Sequence, residues 1–234
     1  MEPDDVAEYS RQSYWERRYS REAQYNWFPS VHQAAVLALC DELQKVLGLR
    51  EARGATVAGA GHGGRPVLRV LHLGTGNSSL CMDLHQAVQA RQLPFTLEQV
   101  AMDYAPNVIA NMQAKYPPEV LPNTTWRVGD VRRLEAFRSL GPFDAIIDKG
   151  TMDALEADKE SPTMEDDIAA MLHGVDGLLR HAKGYGAFMQ ITWVVPYMRL
   201  HYTKGDAFAW GEQVRHTLLG DSDMYRLFVY TVKP

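Results

Sequence analysis

Two kinds of hydrophobic pattern alternate along most of this chain. Short strand-like runs stand at residues 68–73, 97–102, 125–128, 143–147 and 187–193, and the fourth of them is apolar apart from Asp144, as suits a central parallel strand buried on both faces. Apolar residues at helical spacing fill 79–90, 106–115 and 165–182 between them. Such alternation predicts a parallel sheet. Two more strand-like runs, near 210–218 and 224–232, flank the turn residues Gly220-Asp221-Ser222-Asp223 and predict an antiparallel hairpin. The expected fold is α/β, a doubly wound, seven-stranded, mostly parallel sheet.

Ahead of this core, residues 31–47 form a helical pattern, and residues 13–28 are crowded with Tyr14, Trp15, Tyr19, Tyr25, Trp27 and Phe28. A segment so aromatic has the means to pack, so it reads as an N-terminal aromatic helical arm rather than a disordered tail. Residues 53–65 are small and glycine-rich. Their Gly59-x-Gly61-x-Gly63 pattern follows no strand, which argues for a flexible insertion and against a phosphate loop. The expected organisation is an arm, helix and linker over 1–66 and the main α/β domain over 67–234, joined in one compact unit.

Composition narrows the classes. The formal net charge of −5 argues against a nucleic-acid binder, whose lysines and arginines gather into a basic face. Cys40 and Cys81 lack metal-ligand spacing and read as buried thiols, so neither a metal site nor a disulfide is expected. The first residues are acidic, unlike a secretory signal, and no apolar run is long enough to span a bilayer. A soluble, cytoplasmic protein with no membrane partner is expected.

The chemistry gathers at the strand ends. The first strand empties into Gly74-Thr75-Gly76, and the next three deliver Asp103, Asp130 and Asp148. A Gly-x-Gly turn lets a ligand approach the backbone, and later carboxylates can take the hydroxyls and amine of an adenosine. Ser79 stands where a dinucleotide fingerprint needs its third glycine, so the set favours a nucleoside over a pyrophosphate. Asp103 is placed either to accept from both ribose hydroxyls or to cap the helix beginning at Pro106. Asp130 is placed either for the adenine amine or as a solvated loop acid. The arm aromatics are open to two uses, a lid or plain core packing.

Several runs carry a resemblance: Tyr14-Trp15-Glu16-Arg17-Arg18-Tyr19, Trp27-Phe28, Leu73-Gly74-Thr75-Gly76-Asn77-Ser78-Ser79-Leu80, Met102-Asp103-Tyr104 and Asp148-Lys149-Gly150-Thr151-Met152-Asp153-Ala154-Leu155. They resemble the class I S-adenosylmethionine-dependent methyltransferases of Rossmann-like fold, and among these the eukaryotic methyltransferase-like family that methylates lysines of translation elongation factor 1A. The resemblance runs from about Tyr14 to the end of the chain. It implies S-adenosyl-L-methionine as cofactor, with Gly74 at the methionine part, Asp103 at the ribose and Asp130 with Val131 at the adenine. Gly76, Asn77, Tyr104 and Lys149 would line the same pocket, and Trp15, Tyr19 and Trp27 would fold over it. Thr75 stands where the family commonly has cysteine, and the 53–65 insertion is longer than the family needs.

Methyl transfer from a sulfonium is an in-line displacement that needs alignment and a deprotonated nucleophile, with no metal or covalent intermediate. Asp148 and Asp153 are the expected residues to orient an incoming amine. Residues 156–160 and 165–167 add six acids and one base close by, either a solvated face or an attractor for a basic protein substrate such as elongation factor 1A. His201 and Tyr202 are candidates for the acceptor side. A small-molecule acceptor, or an interaction protein without activity, fits the same fold.

Overall fold

The computed structural model describes residues 2–55 and 64–234, so the Gly59-x-Gly61-x-Gly63 stretch lies outside the described residues. Seven strands form one sheet: β1 (Val67–Leu73), β2 (Thr96–Asp103), β3 (Thr124–Val128), β4 (Ala145–Lys149), β5 (Ala187–Thr192), β6 (Val214–Leu218) and β7 (Arg226–Thr231). Their order is β3-β2-β1-β4-β5-β7-β6. The first five in that order run parallel, and β7 is antiparallel to both β5 and β6. This is the doubly wound, seven-stranded sheet the hydrophobic pattern predicts, including its terminal hairpin.

Helices α1 (Gln12–Tyr19), α2 (His32–Ala52), α3 (Leu80–Ala90), α4 (Pro106–Lys115), α5 (Thr151–Leu155), α6 (Met164–Leu179) and α7 (Pro196–Thr203) surround it. Proline opens α4 and α7, where its missing N–H costs nothing. Alternate residues of each strand feed opposite faces. Leu68, Val70, Leu97, Ile147 and Met189 pack with α2 and α3, while Leu71, Leu73, Val100, Ile146 and Phe188 pack with α6 and the 3-10 segment at 131–140. The arm forms a third cluster, with Tyr14, Trp15 and Tyr19 against Val108, Ile109 and Met112 of α4.

Buried ion pairs hold the frame. Arg50, near the end of α2, donates to the Val67 carbonyl (2.7 Å) and the Asp144 carboxylate (3.0 Å), whose other oxygen takes the Arg69 N–H (2.8 Å). On the other side of the sheet Arg199 of α7 is fully buried and paired with Asp153 and Glu156.

The chain leaves β1 for β2 and β3 on one side and returns to β4 on the other. The C-terminal ends of β1 and β4 therefore flank a topological switch point, where open α/β sheets bind ligands.

Candidate active site

At that switch point Gly74 and Gly76 both adopt left-handed backbone, with φ of +53° and +54°. Both positions are also sterically closed. A Cβ on Gly74 would overlap Thr151, and one on Gly76 would lie 2.7 Å from the Tyr19 hydroxyl. The Thr75 N–H donates to the Met102 carbonyl (2.8 Å), tying the turn to the end of β2.

Asp103 sits directly beneath. One oxygen accepts from the Gly76 N–H (2.9 Å) and the other from the Ala105 N–H (3.0 Å). The N-cap of α4 is Ala105, with no side-chain cap, so Asp103 shapes the turn between strand and helix instead of capping the helix. Burial pushes its carboxyl up to about 6, against the pull of those backbone donors. Each oxygen keeps a second acceptor position, because an ionised carboxylate offers about four.

A cleft opens around these residues, about 920 Å³ to its mouth, which suits a nucleoside carrying an amino acid. Of the residues expected from the sequence, Trp15, Tyr19, Trp27, Gly74, Gly76, Asp103, Tyr104, Asp130, Val131 and Lys149 all line it. Asn77, Asp148 and Asp153 do not.

Its roof is the arm. Trp15 packs with its ring centroid 5.6 Å from Tyr19 and 5.4 Å from Trp27, and Tyr9 joins at 5.1 Å from Trp27. Asn77 is what ties the arm down, accepting from the Tyr25 N–H (2.8 Å) and donating to the Glu22 carbonyl (2.6 Å). Lys149 adds a second tether from the far wall, donating to Asn26 Oδ1 (2.9 Å) and the Trp27 carbonyl (2.8 Å). Burial draws the Lys149 ammonium down to about 8, although Asp148 pulls the other way. Phe28 follows with a positive φ of 68°, turning the chain from the roof into α2.

Asp130 is the first residue of the opposite wall. Its carboxylate accepts from the Arg132 N–H (2.9 Å) and is forked by the Arg132 guanidinium at 2.6–3.0 Å. Burial would raise its carboxyl, but Arg132 holds it below the usual range. Arg132 also reaches Asp167 (3.3 Å). Both cations of the cleft are therefore committed to protein partners, an arrangement poor for a pyrophosphate and compatible with a cationic sulfonium against aromatic rings. The groups present suit S-adenosylmethionine.

One expectation is corrected. Asp148 and Asp153 do not line the cleft, because the carboxylate of Asp148, on β4, accepts from the first turn of α5, and that of Asp153, within α5, turns inward to Arg199. Asp148 takes the Thr151 N–H (2.7 Å) and the Gln190 amide (2.9 Å), holding the first turn of α5. Asp153 takes the Thr192 hydroxyl (2.7 Å) and the guanidinium of Arg199. Burial pushes both carboxyls up, and neither is placed to touch an incoming amine. Arg199, the partner that makes the burial of Asp153 tolerable, belongs to the Arg199-Leu200-His201-Tyr202 run, to which the resemblance extends, but nothing in the sequence gives it this role.

No protein-family model matches the chain. The Bos taurus protein named EEF1A lysine methyltransferase 4 is 26% identical to it, over 97% of this chain and 77% of that one. Its Mus musculus counterpart is 27% identical over the same shares. Among solved structures, TrmN from Thermus thermophilus aligns with 80% of this chain and 48% of its own length, at 16% identity and a TM-score of 0.47. Sheet order, the glycine turn over a buried acid and the whole-length similarity together define an S-adenosylmethionine-dependent methyltransferase of class I fold. Within that class the chain resembles the lysine methyltransferases of elongation factor 1A.

Proposed function

We propose that the protein transfers a methyl group from S-adenosylmethionine to a lysine of a protein, elongation factor 1A being the acceptor its relatives name. The observation that carries this reading is similarity along 97% of the chain to EEF1A lysine methyltransferase 4. Residues 67–234 then carry the transfer domain, and the arm within 1–66 supplies its roof.

In this reading Asp103 takes the ribose hydroxyls, the backbone at Gly74 meets the methionine part, and Asp130 with Val131 takes the adenine edge. Gly76 and Tyr104 complete the wall, Asn77 and Lys149 hold the roof, and Trp15, Tyr19 and Trp27 cover the cofactor. When bound, the cofactor supplies an electrophilic methyl group on a sulfonium. The chain's own residues must exclude water and deliver a neutral amine. Lys149 reports what this environment does to a lysine: burial alone draws its ammonium down to about 8 against an acidic neighbour. An acceptor lysine entering the cleft would likewise lose solvent, which favours loss of its proton.

The test uses tritiated S-adenosylmethionine with recombinant elongation factor 1A and, in parallel, a fractionated cell extract. Label is expected in the elongation factor and is expected to disappear when the mapped lysine is replaced by arginine. Label confined to small molecules would remove the protein acceptor. Failure to bind S-adenosylhomocysteine by calorimetry would remove the cofactor assignment as well.

A further inference from the structure

Beside the cleft lies a second surface with different chemistry. β4 and β5 run in register, Lys149 opposite Ile191, and the Gly150 N–H donates to the Ile191 carbonyl (3.2 Å). The chain that leaves β5 therefore emerges next to the wall of the cleft. It does so as an apolar shelf: Trp193 is 52% exposed, Tyr197 77%, and Val195 and Met198 are also open to solvent. Groups of this size left uncovered on one short segment call for a partner.

Next to the shelf is a groove lined by Glu156, Lys159, Tyr197, Met198, His201 and Tyr202. Glu156 is 4% exposed, and its buried Oε2 makes no hydrogen bond, lying 3.0 Å from Arg199 Nη2. Beyond the groove Glu160, Glu165 and Asp166 are exposed, and among the described residues none of them forms an ion pair. Glu165 is close enough to Tyr202 to push its phenol up, behind the larger effect of burial. Among the described residues the one lysine or arginine lining the groove, Lys159, is paired with Glu156. The surface thus combines aromatic rings, apolar footing and surplus negative charge.

We propose that this groove and shelf dock a basic, extended segment of the protein substrate, in which lysine or arginine alternates with apolar residues. The cations lie over the Tyr197 and Tyr202 rings and toward the acids, and the apolar residues rest on Trp193, Val195 and Met198. This rests on the lysine-methyltransferase reading and extends it to how a protein acceptor is held.

The experiment measures fluorescence anisotropy of a labelled twelve-residue peptide of alternating lysine and leucine on the full chain, with a glutamate–leucine peptide as control. Wild type is expected to bind the lysine peptide saturably and to ignore the control. Y197A/M198A and, separately, E160K/E165K are expected to weaken binding at least fivefold. S-adenosylhomocysteine affinity, titrated on each protein, is expected to stay unchanged and also reports correct folding. Equal peptide affinity in the variants, or none in wild type, would overturn the docking surface. Loss of S-adenosylhomocysteine binding in wild type would instead count against the methyltransferase reading.

Discussion

Asp103 uses the same two oxygens for two purposes. They fix the glycine turn through the Gly76 and Ala105 N–H groups, and they offer a ligand their full, charged acceptor capacity only while ionised. Because burial has raised this carboxyl to about 6, the ionised form dominates above that pH and is lost below it. Affinity for S-adenosylhomocysteine should therefore weaken as pH falls through about 6, as calorimetry between about pH 5 and pH 8 would reveal. Asp103→Asn should cost at least about tenfold at neutral pH, about 1.4 kcal/mol, and flatten that pH dependence. Gly76→Ala tests the turn itself. Its Cβ would lie 2.7 Å from the Tyr19 hydroxyl on backbone that disfavours side chains, so titration should show at least about tenfold weaker binding.

At the scale of elements, polar bonds tie the arm to the core. Asn77 and Lys149 supply four of them, all to the stretch between α1 and α2. Asn77→Ala leaves the Tyr25 N–H and Glu22 carbonyl without their partners, and Lys149→Met does the same to Asn26 and the Trp27 carbonyl. Either change should speed proteolytic cleavage within residues 20–28, as timed digestion with mass spectrometry would show, while the sheet stays intact. The central strands were readable because parallel strands buried on both faces leave mostly apolar runs, as 143–147 and 187–193 do, while the short edge strand β3, with Trp126 its only buried residue, was placed by its position in the alternation. Asp103 was readable for a related reason, standing where such a run stops. The short helix α5 was not, since five residues carry no periodicity, and this is why Asp148 and Asp153 read as loop acids facing a ligand. Helix α7 was missed because Tyr197 and Met198 point outward while Arg199 points in, the reverse of an ordinary amphipathic pattern.

For the molecule as a whole, Arg199 is a costly group to lose. It is fully buried and offsets Asp153 and Glu156 together, so Arg199→Met would leave Asp153 without its cation and Glu156 with Lys159 alone. Chemical denaturation should register a loss of about 3–5 kcal/mol. Burial has already raised the Asp153 carboxyl, so Asp153→Asn in the Arg199→Met background should recover part of that loss by removing one of the two charges. The roofed cleft carries a different consequence, one of traffic. Trp15 and Trp27 cover the cleft, and Asn77 and Lys149 hold the stretch that carries Trp27, so loosening those bonds should change how fast the cofactor enters and leaves. A loosened arm should trade retention of spent cofactor for faster exchange, which stopped-flow release of S-adenosylhomocysteine from Asn77→Ala would show.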